Sequence, residues 1–501
     1  MKEAMVIRFG FLLIGAWILS GCLAPNYERT PGEVPDNFRF QSFDGQPQPE
    51  LASLADLSWW EMFDDPVLQE LIGTALTQNF DVRLAMYRVT AARAQAGVSR
   101  SFLMPQVDGT GIYRRQRISR ATEEPPISSS IDTPDEFAQF NFDLFWEIDL
   151  FGRLKHLSDA AQSLFFASRW GQQAVLSAVV ADVARAYFEL RTLDFQLEIS
   201  RATKASFQRS RHLVNLRYQQ GLVSGEELAQ ADALVHTAGA RIPDLERLIY
   251  QKENQIGILL GGNPQPIPRG SSLGELAVRP EVPAGLPSDL LERRPDIRQS
   301  EAVLMAANYR IGAAKANFFP RIALTGQLGT QSVDLSELFT GTSSFWNIGP
   351  IGTLPIFTGG FNYFNLKATE AQKEQALTLY QFTVQQAFRE VSDGLVAHDR
   401  FKQVLVEQQA LVDSYLRYSE LANKRFKGGL ESFLTVLDSE RQLFDAKLAL
   451  AVVQRDRLLT LVQLYKALGG GAELLDEPQV NEDATSSVNA IQPTASGPNA
   501  P

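Results

Sequence analysis

Nearly all the usual equipment of catalysis is missing from this chain. It has one cysteine and four histidines in 501 residues. A single cysteine excludes an internal disulfide. His156, His212, His236 and His398 are scattered along stretches that read as helix and show no metal-ligand spacing. There is no phosphate-cradling glycine loop, nucleophile motif or paired-carboxylate constellation, so the expectation is not an enzyme and no cofactor. Positive charge is also short. Lys and Arg number 47 against 58 Asp and Glu, giving −11 and a pI near 5.1, which argues against a nucleic-acid partner. Beyond the N-terminal stretch, 18 consecutive apolar residues never occur, so no transmembrane helix is expected. If the mature chain spans a membrane, a closed β-barrel is the remaining route.

The N-terminus is a processing segment rather than fold. Lys2 and Arg8 precede an apolar run from Phe9 to Ile18, the length of a signal peptide. Leu19-Ser20-Gly21-Cys22 follows and uses the only cysteine. The pattern resembles a bacterial lipobox. It implies cleavage after residue 21, diacylglycerol on the Cys22 thiol and acylation of its amine; two or more acyl chains give stable anchoring. Leu23 in place of an aspartate favours the outer membrane. Losing Lys2, Glu3 and Arg8 removes +1 and leaves the mature chain at −12.

What is present is a long internal repeat. Arg217-Tyr218-Gln-Gln-Gly221-Leu222-Val-Ser224 returns as Arg425-Phe426-Lys-Gly-Gly429-Leu430-Glu-Ser432, an offset of 208 (425 − 217). Leu260-Gly261-Gly262 returns as Leu468-Gly469-Gly470 at the same offset. Asp81-Val82-Arg83 and Pro105 return as Asp296-Ile297-Arg298 and Pro320, at 215 (296 − 81). Such a period is far beyond the ~20–50 residues of solenoid units, so it marks a duplicated half.

Each half combines long helix with a strand pair. Proline is absent from Arg153 to Gln220, and Val179, Val183, Ala186, Leu190, Leu193 and Leu197 are spaced 4, 3, 4, 3, 4. That is a coiled-coil seam. The partner stretch, about 361–427, repeats it with Val384, Phe388, Val391 and Leu395. About 68 residues at ~1.5 Å each make a rod of ~100 Å, too long for a compact core. Return helices are expected at about 226–260 and 431–467, the first with Pro243 as a kink. Shorter helices are expected at about 66–103 and 288–318. Residues 138–150 alternate: Ala138, Phe140, Phe142, Leu144, Trp146, Ile148 and Leu150 on one face, polar residues on the other, with Phe145 the exception. An aromatic-rich strand of this length suits ~9–11 residues in lipid plus flanks. Residues 105–118, 321–328 and 344–357 are three further strands, the last with Trp346, Ile348, Leu354 and Ile356 on one face and weakened by Pro350 and Pro355. Four strands cannot close, so oligomerisation is required. A dimer gives eight strands, which fill with side chains; a trimer gives twelve, which leave a channel.

The resulting division is a signal peptide at 1–21, a lipidated segment at 22–65, a first repeat at 66–261 and a linker at 262–288. A second repeat at 289–470 and a tail at 471–501 complete it. The polar loop 119–136 and the tail from about 476 are expected to lack a core.

The order of short motifs then resembles the TolC/OprM-like outer membrane factor family, in its NodT-type efflux lipoprotein branch. The motifs are Cys22-Leu-Ala-Pro25-Asn-Tyr27; Trp59-Trp60-Glu-Met-Phe63-Asp-Asp65-Pro66; Asn79-Phe80-Asp81-Val82-Arg83; Asp149-Leu-Phe151-Gly152; Arg293-Arg294-Pro295-Asp296-Ile297; and Pro355-Ile-Phe357-Thr-Gly359-Gly360, with the two Arg-aromatic-x-x-Gly-Leu turns. The resemblance covers roughly 20–475. It implies a mainly α fold with a transmembrane β-barrel contribution: long coiled-coil hairpins forming an α-barrel, and a 12-stranded barrel in a homotrimer. It implies an exit duct in the outer membrane for drugs or metal ions, among outer membrane lipids. The partners implied are a periplasmic adaptor (membrane fusion) protein and an RND-type inner-membrane transporter. Adaptor docking falls on Arg217, Gly221, Leu222 and Ser224, and on Arg425, Gly429, Leu430 and Ser432. A periplasmic gate falls on Leu434 and Asp438, four apart and so on one helix face. In the first half their counterparts are Glu226 and Gln230 (434 − 208, 438 − 208), so the gate is expected to be asymmetric. Arg114, Arg115, Arg117 and Arg120 read as solvated loop charge. A type I protein-secretion duct and a coiled-coil lipoprotein without a pore are the rival readings.

Overall fold

A computed structural model describes residues 27–29, 34–35, 38, 53–62, 65–116, 135–274 and 287–471. The signal peptide, Cys22, Arg117, Arg120, most of loop 119–136 and the tail from 476 lie outside the described residues.

The described elements repeat in the same order along the chain. Each set opens on shorter helices, two in the first and one of 22 residues in the second, continues through two strands and ends in a helical hairpin. The first half comprises α1 (Pro66–Gln78), α2 (Phe80–Ser101), β1 (Gln106–Gln116), β2 (Asp135–Ile148), α3 (Arg153–Gln219) and α4 (Gly225–Leu259). The second comprises α5 (Pro295–Ala316), β3 (Arg321–Ser332), β4 (Ser344–Thr353), α6 (Phe361–Lys427) and α7 (Phe433–Ala467). The hairpins repeat at a constant 208 (361 − 153, 427 − 219, 433 − 225, 467 − 259). The left-handed glycines obey the same offset: Gly152 and Gly360, Gly221 and Gly429, Gly261 and Gly469. At 67 residues, α3 and α6 are each ~100 Å long.

The predicted seams are the buried faces. Val179, Val183, Ala186 and Leu190 are buried on α3, and Val384 and Val391 on α6. The largest core cluster joins the α3 seam to Leu68, Leu71 and Ile72 of α1 and to Ile256, Leu260 and Ile267 at the end of the first half.

Three expectations change. Helix 66–103 is two helices, because the Asn79 side chain caps the second by accepting from Asp81 N (2.7 Å) and Val82 N (3.2 Å). Helix 288–318 settles into its long form only at Pro295, whose fixed φ suits a first helical position. The last strand stops at Thr353, so Leu354 and Ile356 leave its face, while Pro350 stays within it on the edge of the sheet. Pro243 lies inside α4, which runs unbroken through it.

Asn79 also reveals how each rod is extended. Its Nδ2 donates to the Leu259 carbonyl, the last residue of α4, at 2.8 Å. In the second half Arg294 stands at the same place (79 + 215), and its Nη1 donates to the Ala467 carbonyl at the end of α7, at 2.9 Å. Each return helix thus meets a short helix end to end. Arg294 is buried, with Asp296 (2.6 Å) and Glu390 (2.8 Å) as counter-charges, so its burial is compensated.

The strands form one antiparallel sheet in the order β1-β2-β3-β4. The two halves join through β2 and β3, with Asp143 opposite Gln327. Among the described residues, the outer edges of β1 and β4 are unpaired.

Candidate functional site: a two-faced sheet and two helical tips

The sheet separates apolar from polar as the alternation predicts. Phe140, Phe142, Leu328, Trp346 and Ile348 are exposed on one face. Gly109 and Gly111, which give β1 almost no outer surface, lie opposite Phe142 and Phe140, whose rings cover them. The other face carries a hydrogen-bonded ladder across all four strands. Thr110 Oγ1 donates to Asp143 Oδ2 (2.8 Å), Gln327 Nε2 donates to Asp143 Oδ1 (2.8 Å), and Asn347 Nδ2 donates to Gln327 Oε1 (3.1 Å). The sequence placed Asp143 on the polar face; the ladder depends on register, which no single strand reveals. Among the described residues, no helix is long and apolar enough to cross a membrane. A sheet with an exposed aromatic outer face and a satisfied polar inner face is what a barrel wall requires.

At the opposite end, each long helix closes on a Schellman turn. Leu222 N donates to Arg217 O and Leu430 N to Arg425 O, both at 2.9 Å. Gly221 and Gly429 take φ of +72° and +74°, which favours glycine at the turn. Leu222 and Leu430 are 70% and 72% exposed, apolar side chains offered to solvent at both tips.

The eight docking residues divide. Gly221, Leu222, Gly429, Leu430 and Arg425 are presented outward. Arg217 is occupied: Nη1 donates to Phe426 O and Nη2 to Lys427 O, both at 3.2 Å, and its guanidinium sits 4.3 Å from the Phe426 ring centroid. Ser224 caps α4 by accepting from Glu227 N (3.3 Å), whereas the Ser432 side chain makes no such cap.

Leu434 and Asp438 lie on one face of α7 in its first two turns. Leu434 is 59% exposed beside the buried Phe433 and Val436, so it points away from the chain's own core. Asp438 is partly exposed. It accepts from Arg441 Nη2 (3.0 Å) and Gln442 Nε2 (2.6 Å), so a cation already balances its charge. Sequence reasoning overlooked Glu440, two residues on. It is buried at the junction of the hairpins, accepting from Asn423 Nδ2 (3.2 Å) and Ser210 Oγ (3.4 Å). Burial pushes its carboxyl above the usual carboxylate range. His156 is buried at the start of α3 beside the Tyr309 ring, and burial lowers its pKa.

A wall-forming sheet joined to rods this long and ending in exposed turns defines a channel subunit of the outer membrane. Comparison with known proteins agrees. The family model for outer membrane efflux proteins matches residues 71–262 and 286–470. The solvent efflux pump outer membrane protein SrpC of Pseudomonas putida is 38% identical over 474 residues, covering 94% of this chain and 99% of that protein. The probable outer membrane lipoprotein SilC of Salmonella typhimurium is 34% identical over 458 residues, covering 91% and 97%. Among solved structures, the MtrE outer membrane channel of Neisseria gonorrhoeae superposes with a TM-score of 0.80 at 32% identity, covering 90% of this chain and 98% of that one. The chain belongs to the outer membrane efflux protein family.

Proposed function

We propose that three copies of this chain form the exit duct of a tripartite efflux pump. The observation that carries the reading is the open four-stranded sheet with an apolar outer face. Hydrocarbon does not tolerate unpaired strand edges, so β1 and β4 must meet strands of other copies. Three copies supply twelve strands, enough to leave a lumen, lined by the ladder through Asp143. The hairpins continue that lumen ~100 Å into the periplasm. At the far end, Leu222, Leu430 and the backbone at Gly221 and Gly429 receive a periplasmic adaptor, with Arg425 and Ser432 beside them. Arg217 and Ser224 serve by fixing the tips rather than by touching the partner. An RND-type inner-membrane transporter supplies the energy. Leu434 and Asp438 act as the gate: three copies make an apolar ring and an acidic ring, the latter open to cations only where Arg441 releases Asp438. Lipid on Cys22 adds an anchor to the barrel. The cargo is small organic molecules such as drugs, or metal ions.

The test is an unheated gel and a bilayer recording of the full-length protein. The expected result is a detergent-stable trimer that shifts on heating and conducts as discrete channels. Cys22→Ser is expected to lose its lipid yet remain with the outer membrane fraction, because the barrel holds it there. A fully soluble Cys22→Ser protein would refute the barrel.

A further inference from the structure

We propose that Arg425 of each protomer clasps the first helical tip of the next protomer, closing the periplasmic end at the seams between chains. The proposal rests on the trimeric reading above.

Its template is inside the chain. Arg217, in the last turn of α3, holds the second tip by both carbonyl bonds and by its position over the Phe426 ring. A cation is well placed at a helix C-terminus and over an aromatic face. The repeat supplies every part again. Arg425 corresponds to Arg217, Tyr218 to Phe426 (426 − 208), and the Gln219 carbonyl to that of Lys427 (427 − 208). In a ring where first and second tips alternate, each chain has one internal seam, from its first tip to its second. The seam from second tip to first exists only between chains.

The receiving half of that second clasp is unfilled. Phe426 is 4% exposed beneath Arg217, whereas Tyr218 is 46% exposed. Among the described residues none donates to the Gln219 carbonyl. Phe426 also packs on Phe433, with centroids 5.3 Å apart, while Tyr218 has only Gly225 at that place (433 − 208), which leaves its ring open. The donor is available too. The Arg425 side chain is largely exposed and, among the described residues, meets only its own Glu431 at 3.3 Å. An exposed ion pair of this kind holds weakly.

Glu431 makes the two seams unequal. Its counterpart in the first half is Val223 (431 − 208), so Arg217 has no competing acid and Arg425 does. Glu431 also accepts from Thr435 Oγ1 (3.1 Å), which keeps it at the tip. The internal clasp is therefore permanent, and the clasp between chains is releasable: Arg425 exchanges the neighbour's carbonyls for its own Glu431. Opening proceeds at the three seams between chains while each chain's pair of tips moves as a unit.

The experiment is cross-linking of the full-length lipidated protein with a short bismaleimide, Cys22 being acylated. Arg425→Cys with Tyr218→Cys is expected to give covalent trimers that survive heating. Arg217→Cys with Phe426→Cys is expected to give heated monomers cross-linked internally. If the first pair stays monomeric on heating although the unheated sample runs as a trimer, the clasp is wrong. If no unheated trimer exists, the assembly beneath it is wrong. In bilayers, Arg425→Gln should raise open probability several-fold, and Glu431→Gln should lower it. A change in the same direction for both variants also overturns the proposal.

Discussion

Four glycines share nearly the same left-handed backbone, and replacing each by alanine separates backbone strain from packing. Gly221 and Gly429 sit at the tips with φ of +72° and +74°, and a Cβ there meets nothing within 4 Å. Gly261 and Gly469 sit at the end-to-end helix joints with φ of +78° and +83°. At Gly261 a Cβ would lie 2.2 Å from the Gln78 carbonyl oxygen, backbone that no rotamer change can move. At Gly469 it would lie 3.1 Å from the Arg293 carbonyl carbon. The tip variants bear only the cost of holding alanine in the left-handed region, about 1–2 kcal/mol. Gly261→Ala bears that cost and must also part the end of α4 from the α1–α2 junction at Gln78 and Asn79. Parting them breaks the bond from Asn79 to the Leu259 carbonyl and strands a buried donor, adding ~1–3 kcal/mol. The expected order is Gly261→Ala worst, at roughly 2–5 kcal/mol, then Gly469→Ala, then the two tips together. The assay is the temperature at which half of the detergent-solubilised protein loses its folded gel mobility. Gly221→Asn should be milder than Gly221→Ala, since asparagine tolerates the left-handed region. Equal losses at Gly221 and Gly261 would show that backbone strain alone sets the cost, and the joint argument would fall.

Further outcomes follow from the same geometry. Leu434→Ala with Asp438→Ala should raise single-channel open probability, and unchanged gating would remove these residues from the gate. Asp65 is buried and caps α1 while accepting from Tyr187 Oη (2.9 Å) and Ser271 N (3.1 Å). Asp65→Ala should therefore cost ~2–5 kcal/mol from a lost cap and stranded donors. Combined with Tyr187→Phe it should cost less than the sum of the two single changes, as a double-mutant cycle in thermal midpoint will show. Glu440 has a raised folded pKa, so its contribution is fully present below the unfolded carboxylate value and is lost as pH rises through the folded one. The junction it shares with Ser210 should tighten on acidification, measured as slower unfolding, and Glu440→Gln should abolish that pH dependence.

Much of the fold was legible because the repeat is written in residues that determine backbone geometry directly. The 208 offset read from Gly221 and Gly429 locates both hairpins to within a few residues, since a left-handed glycine just past a helix's last turn closes that helix. The seam through Val183 and Leu190 was legible because heptad spacing is a local signal. Asn79 was hidden: apolar spacing continues through it, and the helix breaks because its side chain caps one helix and reaches the end of another 180 residues away. Arg294 was hidden for a related reason. A charged residue before a proline reads as surface until Asp296, Glu390 and the Ala467 carbonyl surround it.

The site shows the same division. Leu222, Leu430 and Leu434 were named through the family resemblance, carried over onto the turn motif and the start of the next helix. That Arg217 is committed to Phe426 while its twin Arg425 is not could be learned only from the folded chain. Identical residue types at identical repeat positions stand there in different surroundings. By itself, the sequence determined local geometry: rods, turns, a strand with two faces and an anchor motif. Tertiary structure decided which of these meet, because register across the sheet, the end-to-end joints and the unequal tips depend on residues far apart in the chain. Periodicity acts over a few residues, whereas a hydrogen bond from Asn79 to Leu259 or from Arg217 to Phe426 exists only once the chain has returned on itself.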